Sequence, residues 1–526
     1  MEKKKIAIVG AGVSGLLACK HAVEKGFDPM VFEARPDIGG VWARTIESTK
    51  LQTPKSFYQF SDFAWPSSVT QTFPDHNQVI EYIRSYTAHF NLIHWIKFNR
   101  RVISIDYFSP SDAEDMRSWD LWGGGAFSPT GKWNLTVEDT RRPSAASEVY
   151  EVDFLVLCIG KFSDLPNVPD FAAGKGPEVL RGQVLHSMDY AAMGGDQAAA
   201  FVTGRKTAVV GFQKSAVDLA AELANLNGPK HPCALLFRAV HWTVPDHLLE
   251  HIFRNLNQFS ELSIHKPREG FFSWLLALLL SPLLWVFSKV VESYIQWIYP
   301  LKKYKMIPEH SFFRQISSCM TIALPAKFYE RVEDGSLVLQ QAQNLCFYED
   351  GLIVDGMDKP LQVDIVIFAT GYRSDEKLKN IFSSTYFQKL IIGSSAPFYR
   401  DCIHPRIPQL AILGYPESAT TLCTTEIRAK WLAHFLAGKF NLPPIREMED
   451  DVKRWEKCMK RYAGDGYKRF CASVLLQIYC NNQLCRDMGC SPERKRCTRL
   501  TNCRQTLLSE LFAPYDPMDY ADQSSH

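Results

Sequence analysis

The chain has 526 residues, and its 59 Lys and Arg nearly balance its 57 Asp and Glu. That balance excludes the basic field of a nucleic-acid binder and the acidic excess of a disordered chain, so no nucleic-acid partner is expected. The length suits about three domains; the 14 cysteines, with no C-x-x-C among them, read as reduced thiols in a chain that is not secreted.

Ile6-Ala7-Ile8-Val9 is a continuous apolar run of β-forming residues, as a buried parallel strand requires. It runs into Gly10-Ala11-Gly12-Val13-Ser14-Gly15, then into a helical pattern through Leu16, Leu17, Cys19, Ala22 and Val23, and Gly26 stands at its C-cap position. Met30-Val31-Phe32 is the second strand and Glu33 closes it. This is a βαβ unit carrying the dinucleotide fingerprint. Gly10 allows the tight turn, Gly12 lets a pyrophosphate approach the backbone, Gly15 lets helix and strand pack closely, and Glu33 is placed to accept from a ribose hydroxyl. The alternative is a glycine-rich turn that binds nothing. Lys3-Lys4-Lys5 before an apolar stretch superficially resembles a secretory signal, but cleavage there would destroy the whole unit, so no cleaved signal peptide is expected.

Further on, Gly39-Gly40-Val41-Trp42 suggests a loop held close to a ligand, and Leu51-Gln52-Thr53-Pro54-Lys55 follows. A helix is expected from about Gln78 to Phe90, with strands near Arg101–Ile105, Trp133–Glu138 and Val149–Val152. Residues 109 to 131 read as a loop excursion. Asp153 to Gly160 is another buried strand and the exit from the first sheet. Leu180 to Tyr190 reads as a linker, in which His186 is either a structural histidine or a catalyst.

Lys206 to Gly211 opens a second strand-turn-helix, with Ser215 to Asn225 as the helix. Its turn reads Gly211-Phe212-Gln213-Lys214-Ser215-Ala216, so Gln213 replaces the middle glycine. Ala234 to Phe237 is the next strand and ends at Arg238 instead of an acid. An arginine there suits the ribose phosphate of NADPH, because a guanidinium pairs with phosphate oxygens that a carboxylate would repel. The alternative is a domain of this type that has lost its ligand.

Gly270 to Ser288 contains no charged residue and is long enough to span a bilayer. A single crossing would separate strands that should share one core, and Ser281-Pro282 interrupts the run. A helical hairpin is expected instead, either buried or dipping into a membrane, with Lys302-Lys303-Tyr304-Lys305 near lipid head groups. Asp364 to Tyr372, carrying Thr370 and Gly371, repeats the pattern of Asp153 to Gly160 and suggests two crossovers between paired nucleotide domains. Leu410 to Gly414 is one more strand, and Glu426 to Ala437 a helix against it. Beyond Glu447 the chain turns charged and helical. Cys480, Cys485, Cys490, Cys497 and Cys503 fit no common zinc spacing and read as free thiols, so no metal is expected.

Together these features resemble the flavin-containing monooxygenase family, class B flavin-dependent monooxygenases, over about residues 4 to 440. The family's F-x-G-x-x-x-H-x-x-x-Y pattern matches Leu180, Gly182, His186 and Tyr190, with leucine in the aromatic position. The resemblance implies an α/β fold with two Rossmann-like domains, the second inserted in the first. The FAD domain would occupy 1–165 and 331–446, and the NADPH domain 200–330 with an apolar helical insertion at about 265–300. A helical C-terminal extension and polar tail would fill 447–526. Gln52 stands where the family commonly has an asparagine that helps hold the oxygenated flavin; it keeps the amide but adds a methylene. Baeyer–Villiger relatives carry tryptophan where Tyr190 stands.

The chemistry implied is hydride transfer from NADPH to FAD, O2 capture as a C4a-hydroperoxyflavin, and attack by a nitrogen or sulfur lone pair of a small molecule. Gln52 would supply the hydrogen-bond donor, and His186 would shape the linker. The apolar insertion resembles the plant branch, which implies N-hydroxylation of a cyclic amino acid such as pipecolate in plant defence. The implied location is the cytoplasm or the endoplasmic-reticulum surface, with peripheral membrane contact through 270–299. Three alternatives stay open: an NADPH oxidase or reductase that leaks peroxide, a Baeyer–Villiger oxygenase, and a non-catalytic dinucleotide-fold protein without flavin.

Overall fold

The strand β1 (Ile6–Val9) is buried at every position because both faces of its sheet are covered. The computed structural model describes residues 3–108, 124–391, 398–468, 471, 475–491 and 503–521; residues 109–123 of the expected loop excursion and Cys497 lie outside them. After β1 come α1 (Val13–Glu24), β2 (Pro29–Phe32), α2 (His76–His89) and β3 (Ile96–Lys97). Asp75 starts α2 by accepting from Gln78 N–H, while the Gln78 side chain accepts from Asp75 N–H, a reciprocal cap. The antiparallel strands β4 (Arg100–Phe108), β5 (Lys132–Asp139) and β6 (Glu148–Val152) lead into β7 (Phe154–Leu157).

The second unit comprises β8 (Gln183–His186), α3 (Ser187–Ala192), α4 (Gly195–Val202), β9 (Thr207–Val210), α5 (Lys214–Asn227), β10 (Cys233–Phe237) and β11 (Thr243–Val244). It continues through α6 (Asp246–Arg254), α7 (Phe271–Ile298), α8 (Phe312–Ser317), β12 (Ile322–Ala323), α9 (Phe328–Glu333) and β13 (Leu337–Gln341). The antiparallel β14 (Leu345–Tyr348), β15 (Gly351–Val354) and β16 (Leu361–Gln362) precede β17 (Ile365–Phe368). The chain ends with α10 (Ser374–Asn380), α11 (Thr385–Ile391), β18 (Leu410–Ile412), α12 (Thr421–Leu436), α13 (Ile445–Ala463), α14 (Gln477–Asp487) and α15 (Cys503–Phe512).

Two five-stranded parallel sheets result, in the orders β18-β7-β1-β2-β3 and β13-β10-β9-β17-β8. They are built alike. In the first, Ile6, Ile8, Val31 and Val156 pack towards α1 and α12, whereas Ala7, Val9, Phe32, Leu155 and Leu157 face the β4–β6 meander. In the second, Val209, Leu235 and Ile367 pack towards α5, and Val210, Leu236 and Phe368 face the β14–β16 meander. Even the strand entries match: Asp153 Oδ2 accepts from Lys5 N, and Asp364 Oδ2 from Lys206 N, both at 2.8 Å.

Three expectations are corrected. First, the expected boundary at 331 cuts through the second domain, because β13 pairs with β10 and β17 pairs with β9. β8, expected as linker, is an edge strand of that sheet, so the chain returns to the first sheet only at β18. Second, the apolar segment is not a hairpin. α7 continues through Pro282 for 28 residues, about 42 Å, because the Leu278 carbonyl freed by the proline accepts from Ser281 Oγ at 2.9 Å. It is the one described helix long and apolar enough to cross a bilayer, and most of its surface is exposed. Third, not every thiol is free: Cys319 and Cys471 form a disulfide, with Cα atoms 5.9 Å apart. Cys480, Cys485 and Cys490 are buried and form no disulfide among the described residues.

Candidate functional site

In the first turn, a Cβ on Gly15 would sit 1.8 Å from the Gly10 carbonyl oxygen, and one on Gly10, whose φ is +104°, 2.4 Å from the Cys158 oxygen. Those glycines are required by the protein itself. Gly12 is different: its Cβ would meet only the Gly40 Cα at 3.5 Å, ordinary contact, so the protein alone does not demand glycine there. Two glycines facing each other at the N-terminus of α1 leave a cleft without side chains, the shape a pyrophosphate fits. Glu33 closes the site. Its Oε2 accepts from Ala11 N at 2.7 Å and its Oε1 from Arg35 N at 3.0 Å. Burial pushes its carboxyl above the ordinary range, and the two N–H groups pull against that. Trp42, beside Gly40, donates its indole N–H to Tyr58 Oη at 2.8 Å.

In the second turn, a Cβ on Gly211 would lie 2.5 Å from the Ala369 oxygen. Gln213 is the N-cap residue of α5 but makes no capping bond with its side chain, and Ser215 lies in the first turn of the helix. Lys214 pairs with the buried Asp218, whose carboxyl is pushed up to about 6 by burial. Arg238 is exposed at the end of β10. Its carbonyl accepts from Gln341 Nε2 at 3.0 Å and Gln343 Nε2 at 2.9 Å, which fixes the backbone. Its guanidinium has no ion pair among the described residues, so it is available to a phosphate.

The matched linker pattern acquires mechanical roles. Gly182 lets β8 lie against β17, since a Cβ there would be 2.2 Å from the Asp364 oxygen. His186 caps α3: its Nδ1 accepts from Met188 N at 3.2 Å, and Asp189 accepts from His186 N at 3.1 Å. An accepting Nδ1 places the ring proton on Nε2. Burial lowers the His186 pKa, so the ring is neutral near pH 7, and it packs edge-on against Tyr372 with centroids 5.3 Å apart. Thr370 and Gly371 follow β17, where the two crossovers run side by side. Asn167 Nδ2 donates to the Thr370 carbonyl at 3.2 Å, and Asn167 N to the Gly371 carbonyl at 2.9 Å.

A cavity of about 1460 Å³ lies among these parts. It brings together Trp42, Gln52, Gly211, Ser215, Arg238, Thr370 and Gly371, while Gly10, Gly12, Gly15, Glu33, Gly40 and His186 lie outside its lining. Gln52 Oε1 accepts from Ala323 N at 3.0 Å. Its oxygen is thereby occupied, which leaves the amide NH2 as a donor on the cavity wall. Leu280, Leu283, Leu284 and Phe287 of α7, with Phe312 and Ile316, make an apolar wall. His241 and Lys468 also line the cavity, and neither stood out in the sequence because no motif surrounds them. Burial, with the charges of His310 and Lys468 adding to it, lowers the His241 pKa to about 4.

A sequence model of the flavin-binding monooxygenase-like family matches residues 3–520. The chain belongs to this family. It is similar to probable flavin-containing monooxygenase 1 of Arabidopsis thaliana, 37% identical over 530 residues that span 99% of this chain and 96% of that one. It is also similar to putative flavin-containing monooxygenase 2 of the same plant, 35% identical over 93% of this chain and 98% of the relative. Flavin-containing monooxygenase 3 of Rattus norvegicus is more distant, 25% identical over 86% and 77%. Among solved structures, S-allyl-L-cysteine S-oxygenase from Allium sativum covers 93% of this chain and 89% of its own, with TM-score 0.57 and 16% identity. Cyclohexanone monooxygenase in an open crystal structure covers 91% and 98%, with TM-score 0.62 and 14% identity. Those two share the fold. The chain is a flavin-containing monooxygenase with two Rossmann-like domains, and its cofactors are FAD and NADP(H).

Proposed function

We propose that this monooxygenase is NADPH- and O2-dependent and oxygenates a nucleophilic nitrogen or sulfur of a small molecule. The reading places FAD on the Gly10–Gly15 turn with Glu33 and Gly40, and NADPH on Gly211–Ser215 with its extra phosphate at Arg238. The observation that supports it is Gln52: it lines the cavity shared with the second turn, and Ala323 N–H takes its oxygen, which leaves the NH2 as its donor. Bound flavin, reduced by NADPH, supplies the O2 activation. The residues of the chain do the rest. Gln52 donates a hydrogen bond that keeps activated oxygen from leaving as peroxide, the apolar wall excludes water, and neutral His186 holds the turn from β8 into α3 in shape.

Within that class we infer a cyclic amino acid such as pipecolate, N-hydroxylated in plant defence. Lys468 supports this, since it lines the cavity without an ion pair among the described residues and could pair with a carboxylate while the apolar wall covers a ring. The test incubates FAD-loaded protein with NADPH, O2 and a panel of pipecolate, other amines, sulfides and cyclohexanone, then identifies products by mass. An N- or S-oxygenated product is expected. Stoichiometric peroxide with every compound would make the chain an NADPH oxidase, and a lactone from the ketone alone would make it a Baeyer–Villiger enzyme.

The reading also includes peripheral contact between α7 and a membrane, at the endoplasmic reticulum or another cytoplasmic surface. The support is that Phe272, Leu279, Trp285 and Trp297 are 65% exposed or more on a single helix.

A further inference from the structure

Tyr190, the last residue of the linker pattern, is 1% exposed, and its hydroxyl needs a buried partner. The partner is Glu222 on α5, whose Oε1 accepts from Tyr190 Oη at 2.9 Å. The other oxygen of the same carboxylate, Oε2, accepts from Ser48 N at 3.1 Å. Ser48 belongs to the first domain, on the segment that continues to Gln52. Glu222 thus holds α3 of its own domain and the Gln52 segment of the first domain with one side chain.

Two further contacts tie the same segment to the same domain. Ile46 is buried in the second domain's core with Val209, Leu235 and Ile367, and Gln52 accepts from Ala323 in β12, which pairs with β11. Towards its own domain the segment is held by Leu51 N donating to the Pro74 carbonyl and His76 N to the Thr49 carbonyl, each at 3.0 Å. The segment therefore bridges two bodies and is held to the second domain at Ile46, Ser48 and Gln52, so that undocking Ser48 loosens the stretch that carries Gln52. A shift of about 1 Å in such a donor is enough to cost a large part of its effect.

We propose that Glu222 is a positioning residue, which fixes Gln52 relative to the nicotinamide-binding domain by holding Ser48 N–H and Tyr190 O–H at once. The role rests on the reading of Gln52 as the oxygen-holding donor. Glu222 touches neither cofactor nor substrate in that arrangement; it acts through the segment it anchors. Glutamine at 222 keeps both contacts, because its oxygen accepts from Ser48 N and its NH2 donates to the tyrosine oxygen. Alanine keeps neither.

The experiment compares wild type, E222A, E222Q, Y190F and Q52A as FAD-loaded full-length proteins, reading the fraction of NADPH electrons that emerge as hydrogen peroxide. Exchange of the Ser48 amide is followed by hydrogen–deuterium exchange and mass spectrometry. E222A is expected to raise the peroxide fraction about fivefold or more at unchanged flavin content and to speed exchange at Ser48 about tenfold. E222Q is expected to stay within about twofold of wild type on both readouts, and Y190F to fall between. Leakage from Q52A but not from E222A would overturn the positioning role and leave the Gln52 reading standing. No leakage from Q52A would overturn the Gln52 reading itself, and unchanged Ser48 exchange in E222A would then overturn the latch as well. If E222A loses flavin or fails to fold, E222Q and Y190F decide: leakage from E222Q equal to that from Q52A overturns the proposal.

Discussion

Gly12 and Gly15 are three positions apart in one turn, yet they are glycines for different reasons. A methyl group on Gly15 would overlap the Gly10 carbonyl at 1.8 Å, which no side-chain movement relieves. Gly15→Ala is therefore expected to cost more than about 4 kcal/mol and to yield little folded protein, measured by denaturant unfolding of any soluble fraction. A methyl group on Gly12 meets only Gly40 Cα at 3.5 Å, so Gly12→Ala should unfold within about 1 kcal/mol of wild type but bind FAD at least about tenfold more weakly. Equal flavin affinity in a folded Gly12→Ala protein would remove the pyrophosphate from this cleft. Arg238 gives the matching prediction for NADPH. A lost charge-assisted bond is worth about 1.5 to 3 kcal/mol, so Arg238→Ala should raise the KM for NADPH about tenfold to a hundredfold and leave that for NADH nearly unchanged. Both positions were legible in the sequence because a strand, a turn and a helix announce them. Ala323, Glu222 and Lys468 were not, because their meaning comes from neighbours distant in sequence that only the fold brings together.

α7 shows how an element can be read correctly in composition and wrongly in shape. A proline in a helix interior removes one hydrogen bond and usually bends or breaks the helix, which is why Ser281-Pro282 suggested a hairpin. The serine that precedes the proline returns a donor to the orphaned Leu278 carbonyl, and the helix passes through. Its inward stripe is narrow, with Ala277, Ser288, Val291 and Ile295 buried and the one acid, Glu292, turned inwards with them. Glu292 accepts there from Ser288 Oγ at 2.7 Å and from Phe312 N at 2.9 Å. β11 and β12, on either side of α7 in the sequence, pair directly, so both ends of the helix return to one domain. On the proposed membrane contact, a helix tethered at both ends to one domain would lie along the bilayer rather than cross it. Leu279 and Trp285 are 68% and 65% exposed, and burying two such side chains contributes about 3 to 6 kcal/mol. The double variant Leu279→Glu with Trp285→Glu should lose more than about a hundredfold in binding to anionic phospholipid vesicles, read by flotation. It should keep wild-type flavin content. Vesicle binding as tight as wild type would leave this face without a membrane role, and light scattering would then show whether a second copy of the chain covers it.

At the scale of the whole molecule, the chain is one plan used twice, and that repetition was legible. Asp153 and Asp364 open strands of the same pattern, and each receives the backbone N–H of the lysine that starts its sheet. The boundary between the units was not legible, because β13 and β17 are apolar runs that would suit either sheet; only pairing with β10 and β9 assigns them. The C-terminal extension is attached by a contact that hydropathy hides. Glu261, 7% exposed, sits at the start of α14 and accepts from Ile478 N at 2.7 Å and Tyr479 N at 3.0 Å. Burial outweighs those bonds and pushes its carboxyl from 4.5 up to about 7. A carboxyl whose pKa is higher in the folded chain binds more protons there than when unfolded, so stability falls as pH rises. The loss begins near the unfolded value of 4.5, is complete above about 7, and amounts to about 3 kcal/mol at most. Glu261→Gln removes the titration while its amide oxygen still accepts one of the two N–H groups. Relative to that variant, wild type should be more stable at about pH 5 than at about pH 8, as read from denaturant midpoints of the holoenzyme. A stability difference between the two proteins that is the same at both pH values would show that Glu261 is ionised throughout, held so by the N-terminus of α14 despite its burial.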